Sequence, residues 1–123
     1  MGRFKTELDT LRICGQHPFV MKLYAAFADE RNFYLLLEYC EFGELAGVMR
    51  LQPGRYFDER TALQITAEVV SALEYLHFHG TIYRDLKTEN VLLAGDGHCR
   101  LTDFDLAKRL GNGSVLQQVA TER

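Results

Sequence analysis

An α+β fold, with helices and antiparallel strands in separate stretches of chain, is what these 123 residues predict. Three observations point to it. Paired apolar runs joined by short polar turns read as two β-hairpins, one within residues 19–39 and one within 91–101. Between them, residues 58–79 carry a single apolar stripe at helical spacing. No repeat or low-complexity segment interrupts the order.

The elements follow from local chemistry. Residues 4–13 read as a short helix, with Phe4, Leu8 and Leu11 at i, i+4 and i+7. Gly15 closes it and Pro18 forbids its continuation. Residues 19–27 alternate loosely and are expected to be a strand. Asp29-Glu30-Arg31-Asn32 is a turn, and residues 33–39 are apolar without a polar break, as in a strand buried on both faces. Gly43 relaxes the backbone, residues 44–51 can hold a short helix, and Gln52-Pro53-Gly54 is a turn. In residues 58–79 the stripe is Ala62, Ile65, Val69, Leu73 and Leu76, with Asp58 as N-cap and Gly80 as stop. Residues 91–93 and 99–101 flank Gly95-Asp96-Gly97 as a second hairpin. After Asp105 the chain turns polar and glycine-bearing, through Gly111-Asn112-Gly113-Ser114, and mobility is expected there.

Composition excludes several classes. A net charge of −3 gives no field to attract nucleic acid or an anionic membrane. No apolar run approaches the roughly 18 residues that a spanning helix needs. Cys14, Cys40 and Cys99 are odd in number and far apart, so they suggest reduced thiols in a cytoplasmic or nuclear protein. The four histidines form no metal pattern either.

The chemistry is concentrated in Tyr83-Arg84-Asp85-Leu86-Lys87-Thr88-Glu89-Asn90 and in Asp103-Phe104-Asp105. Phosphoryl transfer needs an acceptor for a hydroxyl proton, a cation near the moving phosphate and oxygen ligands for Mg²⁺. Asp85, Lys87, Asn90 and Asp103 supply those types. The set resembles the catalytic loop and metal-binding triplet of eukaryotic protein kinases, and the resemblance extends over nearly the whole chain. Tyr-Arg-Asp, with His17-Pro18-Phe19-Val20, is similar to the branch of cyclic-nucleotide-dependent and lipid-dependent kinases. Lys87 is what serine/threonine kinases carry at its position, and Asp-Phe-Asp resembles certain plant and fungal members of the branch.

The resemblance implies a partial kinase-like fold. Residues 1–39 would end the N-lobe, with its C-helix and hairpin. Residues 40–123 would run from the hinge through the long helix and catalytic-loop hairpin into part of the activation segment. It implies ATP and Mg²⁺ as cofactors and protein Ser/Thr hydroxyls as acceptors. Asp85 would take or orient the hydroxyl proton, Lys87 would offset charge on the γ-phosphate, and Asn90 and Asp103 would hold Mg²⁺. Singly, each has a plainer reading: a loop cap, a turn residue, a solvated strand end. Glu7 would pair with a lysine on the third strand; alone it reads as a first-turn acid that favours the helix dipole. Leu37 resembles the gatekeeper, though plain strand core also fits, and either requires burial. Glu38 and Cys40 would offer backbone groups to adenine, Glu44 would contact ribose, and Leu92 belongs to the same pocket. Leu11, Leu23, Tyr83 and Phe104 match the regulatory spine. Glu89 would read a basic residue of the substrate or is simply solvated. Thr121 would meet the substrate's next residue.

The chain also departs from the family pattern. Asp105 stands for a glycine, which suggests a restricted loop swing. Thr88 stands for a common proline, and Ala120 for a glycine. The usual activating phosphothreonine position falls on Gln117, with Ser114 the weak substitute, so Arg84 would lack a phosphate partner. Within these residues there is no Gly-rich loop, strand-three lysine or Ala-Pro-Glu. The expectation is a fragment of a longer kinase, inactive alone, with the remainder of the domain missing. The rival readings are an inactive kinase-like binding fragment and a small-molecule phosphotransferase.

Overall fold

A computed structural model describes residues 2–110. Helix α1 (Gly2–Cys14) leads into an antiparallel ribbon, β1 (Leu23–Ala28) with β2 (Phe33–Leu37). Strand β3 (Gly43–Glu44) and helix α2 (Leu45–Arg50) follow, then a 3₁₀ turn at Pro53–Arg55 and the long helix α3 (Glu59–Phe78). Strand β4 (Thr81–Ile82), a 3₁₀ turn at Thr88–Asn90, β5 (Val91–Leu93), β6 (Cys99–Leu101) and β7 (Lys108–Arg109) complete the order.

Local signals set most boundaries. The Thr61 N–H donates to Asp58 Oδ1 at 2.8 Å, which caps α3 as the sequence predicts. Gly80 ends that helix at φ 73°, where a side chain would be strained. The β1–β2 turn is closed by Asp29, whose carboxylate accepts from the Arg31 and Asn32 N–H groups and from the Tyr34 hydroxyl. Gly43 sits at φ 71°, directly after the segment that joins ribbon to hairpin.

Several expectations need correction. The first strand begins at Leu23, not at residue 19, because the intervening residues pair elsewhere. Val20 bridges Leu101 in parallel, the Met21 N–H donates to the Leu101 carbonyl, and Leu101 N–H donates to the Phe19 carbonyl. Strand β2 is not buried on both faces: Phe33, Tyr34 and Leu36 are exposed, and so is Tyr39 beyond it. Among the described residues β1 alone pairs with it. Glu7 is not in the first turn of α1, because the helix starts at Gly2. The fully buried positions of α3 are Glu68, Ala72 and Leu76; of the expected stripe Leu76 is thus buried, while Ile65, Val69 and Leu73 are half-buried and pack against the core. The chain after Asp105 stays ordered to Leu110: β7 pairs with β4, and Ala107 is buried. Residues 111–123 lie outside the described residues, and with them the readings of Ser114, Gln117, Ala120 and Thr121.

The core lies where α1, α3 and the β5–β6 hairpin meet. Leu11 and Cys14 come from α1, Ala72 and Leu76 from α3, and Val91, Cys99 and Leu101 from the hairpin. Tyr83 and Phe104 are the two largest side chains fully enclosed there. Among the described residues no helix is long and apolar enough to cross a membrane.

Candidate active site

The Tyr83–Asn90 loop is built between the C-terminal end of α3 and the start of β5. Tyr83 plugs it into the core, and its hydroxyl donates to the Thr102 carbonyl. Its ring meets Phe104 edge to face, with centroids 5.6 Å apart. Arg84 follows at φ 68° and its Nε donates to the Leu106 carbonyl at 2.8 Å. A non-glycine residue in the left-handed region is costly, and such residues gather at functional sites. Asp103 is another, at φ 61°.

Asn90 organises the loop. It is buried, and its Nδ2 donates both to the Asp85 carbonyl (3.0 Å) and to Asp85 Oδ2 (2.9 Å). Its own backbone carbonyl accepts from the Thr102 N–H at 3.0 Å, one residue before Asp103. The two acidic segments are therefore joined through one residue, Asn90, whose side-chain amide holds Asp85 and whose backbone carbonyl holds Thr102. Both carboxylates also bear on Tyr83: burial first, then Asp103 and Asp85, push its hydroxyl pKa up. With the Asn90 nitrogen spent on Asp85, its Oδ1 is left as an acceptor. Lys87 Nζ stands 3.7 Å from Asp85 Oδ1, on a half-exposed side chain. The set offers a carboxylate flanked by a cation, and two further oxygen donors suited to a hard cation.

The remaining candidates fall into two groups. Glu7 lies beside the triplet: burial, then the charges of Asp103 and Asp105, raise its pKa. Leu11, Tyr83 and Phe104 share the core cluster, and Leu23 packs against it. Leu37 pairs with Leu23 but is only half-buried, short of the burial expected of it. Glu44 and Leu92 are direct ladder partners, so the acid and the hairpin residue do meet. The Glu38 N–H donates to the Lys22 carbonyl, and the Cys40 carbonyl accepts from Gly43 N–H. That leaves the Glu38 carbonyl and the Cys40 N–H without a backbone partner among the described residues. Glu89 is exposed and accepts from the Thr88 hydroxyl at 2.8 Å. Asp105 does not adopt a positive φ, so the absent glycine costs nothing in this arrangement.

A model of the protein kinase domain matches residues 2–123. The chain belongs to the protein kinase domain family. Among curated proteins, this kinase segment is similar to a serine/threonine-protein kinase of Arabidopsis thaliana, 48% identical over 107 residues, covering 87% of the chain and 21% of the relative. It is similar to serine/threonine-protein kinase nrc-2 of Neurospora crassa, 48% identical over 99 residues, covering 80% of the chain and 16% of the relative. Protein kinase PINOID 2 of rice is 48% identical over 107 residues, covering 87% of the chain and 22% of the relative. The kinase segment thus spans about a fifth of the length of these relatives. Plant and fungal relatives are what the Asp-Phe-Asp triplet led us to expect.

The sequence missed two polar anchors of this kinase segment. Glu68, buried on α3, accepts from the Cys99 N–H (2.8 Å) and from His98 Nδ1 (2.9 Å). Arg100 bonds both Glu38 and Asp96. The only available signal was an acid and a base placed within otherwise apolar segments. Burial pushes the Cys14 thiol up to about 11 and the Cys99 thiol up to about 12, which disfavours the thiolate.

Proposed function

We propose that this segment carries the catalytic residues of a serine/threonine protein kinase that transfers the γ-phosphoryl group of ATP to protein hydroxyls. One observation carries the reading: Asn90 spends its amide nitrogen on Asp85, which fixes that carboxylate and leaves Asn90 Oδ1 as an acceptor. ATP with Mg²⁺ would supply the phosphoryl group and the charge neutralisation that lets it move. Asp85 would orient the acceptor hydroxyl and take its proton, because an ionised carboxylate can only accept. Lys87, close to Asp85, would hold charge near the transferring group. Asn90 Oδ1 and the Asp103 carboxylate are the oxygens that would hold the metal. Among the described residues no three acidic, histidine or cysteine side chains form a metal cage. That suits Mg²⁺, which takes one or two protein oxygens and completes its shell with phosphate and water.

Glu38, Cys40, Glu44 and Leu92 would line the base and ribose site, and Glu7 would anchor the phosphates through a lysine. Exposed Glu89, kept ionised chiefly by the Thr88 hydroxyl, would favour a basic residue near the acceptor. Three unpaired cysteines support a cytoplasmic or nuclear setting.

The test is phosphoryl transfer by the intact protein from Mg-ATP to a serine peptide with neighbouring arginines. Transfer that disappears in Asp85→Asn supports the reading. No transfer by the wild type, or full transfer by the variant, would contradict it.

A further inference from the structure

Glu38 does more than lend its backbone. Its Oε1 accepts from the Lys22 N–H at 3.0 Å and from Arg100 Nε at 3.1 Å. The two partners of this ion pair are 62 positions apart in the chain, and their side chains are 16% and 13% exposed, so water screens them little. Arg100 projects from β6 and is held at its other nitrogens. Nη2 donates to Asp96 Oδ2 at 2.8 Å, and Nη1 to the Cys99 carbonyl at 3.1 Å. The guanidinium is thus fixed by its own hairpin and delivers one N–H into the segment after β2. On the far side lies a cavity of about 460 Å³, lined by Leu11, Gly15, His17 and Lys22 as well as by the pair itself. Glu38, at the start of segment 38–43, therefore borders open space.

The ribbon's backbone ties to the hairpin run through residues 19–21 and Leu101 before β1 begins, and through the Phe42 N–H, which donates to the Leu93 carbonyl at 3.2 Å after β2 ends. On the β2 side, the chain reaches β3 through Gly43 at positive φ, a permissive joint. The Glu38–Arg100 pair is the ion pair that spans this joint among the described residues.

We propose that Arg100 is a positioning residue of the nucleotide site. Through the Glu38 carboxylate it fixes the Glu38 carbonyl and Cys40 N–H relative to Leu92 on the hairpin, and so sets affinity for the nucleotide rather than the rate of transfer. The nucleotide part rests on the kinase function proposed above; the mechanical part, that Arg100 holds segment 37–43, does not.

The experiment uses the intact protein with Arg100→Met, Arg100→Lys, Glu38→Gln and the Met/Gln double variant. Steady-state kinetics in ATP are paired with amide hydrogen exchange of residues 37–43 without nucleotide. Loss of a charge-assisted hydrogen bond is expected to raise the ATP KM about tenfold in Arg100→Met, with kcat changed less than about twofold. Exchange of the 37–43 amides should quicken about tenfold, because local opening loses the same bond. Arg100→Lys should fall between, and the double variant should be no worse than Arg100→Met. Glu38→Gln keeps the shape of the side chain and guards against a folding defect in the arginine variant. Unchanged exchange together with unchanged KM overturns the proposal. So does a loss confined to kcat, or additive effects in the double variant. If the wild type neither binds nor turns over ATP, the kinase function fails instead, and exchange still decides whether Arg100 holds the segment.

Discussion

The segment from Thr81 to Asp105 is poorer in apolar side chains than the ribbon from Leu23 to Leu37, yet it buries more of them. In the first, Tyr83, Val91, Leu101 and Phe104 are buried, and the polar groups are tied in pairs: Tyr83 to Thr102, Asn90 to Asp85, Cys99 N–H to Glu68. In the second, Tyr24, Phe27, Phe33, Tyr34 and Leu36 face solvent, and the Phe27–Tyr34 stack at 5.2 Å lies on an open face. The Tyr83–Asn90 loop is thus anchored by buried side chains, whereas the ribbon keeps much of its apolar surface exposed. Transition-state stabilisation by positioned charges requires such anchoring, because reorganising dipoles during the reaction would cost what they contribute.

The largest expected effect lies in the packed segment. Asp85→Asn should lower phosphoryl transfer by on the order of 10²–10⁴-fold while leaving the unfolding midpoint nearly unchanged. Phe104→Ala should cost about 3–5 kcal/mol in chemical denaturation, since it empties a site at the centre of the core. Tyr83→Phe should cost about 1–3 kcal/mol, because the Thr102 carbonyl loses its hydroxyl donor while the ring stays packed. At the other extreme, Phe27→Ala in the ribbon should change stability by no more than about 0.5 kcal/mol. Comparable losses for Phe27→Ala and Phe104→Ala would erase the distinction between the two regions.

A pH series sharpens the same contrast. Burial works to raise the Glu68 pKa, but bonds from the Cys99 N–H, His98 and Gln64 outweigh it and leave the pKa below 4.5. The bond to Glu68 lifts His98 above 6.5. A raised histidine contributes stability below its unfolded pKa and loses it as pH rises through the folded value. A depressed carboxylate contributes above its unfolded pKa and loses it as pH falls through the folded value. Both contributions coexist between 4.5 and 6.5. The stability gap between wild type and His98→Gln should therefore be wider near about pH 6 than near about pH 9, as read by urea midpoints. A gap independent of pH would exclude an ionic role for the pair.

What could be read from the chain was local. Asp58 before an apolar stripe, Gly80 after it, and Asp29 in a polar turn each act on near neighbours in the chain, and each does what its chemistry says. The loop motif was legible because several chemically specific residues fall within eight positions. The rest depended on partners far along the chain. Residues 19–21 resemble a strand of the ribbon until Leu101 is there to pair with them. Two-residue strands β4 and β7 have no periodicity to detect. Glu68 reads as surface on a helical wheel, and only Cys99 and His98 explain an acid at a buried position. The apolar run of β2 reveals an appetite for burial, not whether the fold meets it.

In the kinase function proposed above, Asn90 and Asp103 would hold one metal ion when nucleotide is bound. Mn²⁺ substituted for Mg²⁺ in the intact protein reads this directly, through paramagnetic broadening of backbone amide resonances. Broadening centred on residues 85–90 and 103–105 that needs ATP is the expected result. Broadening that misses both segments, or that spreads over exposed acids such as Glu41 and Glu59 regardless of ATP, would contradict it.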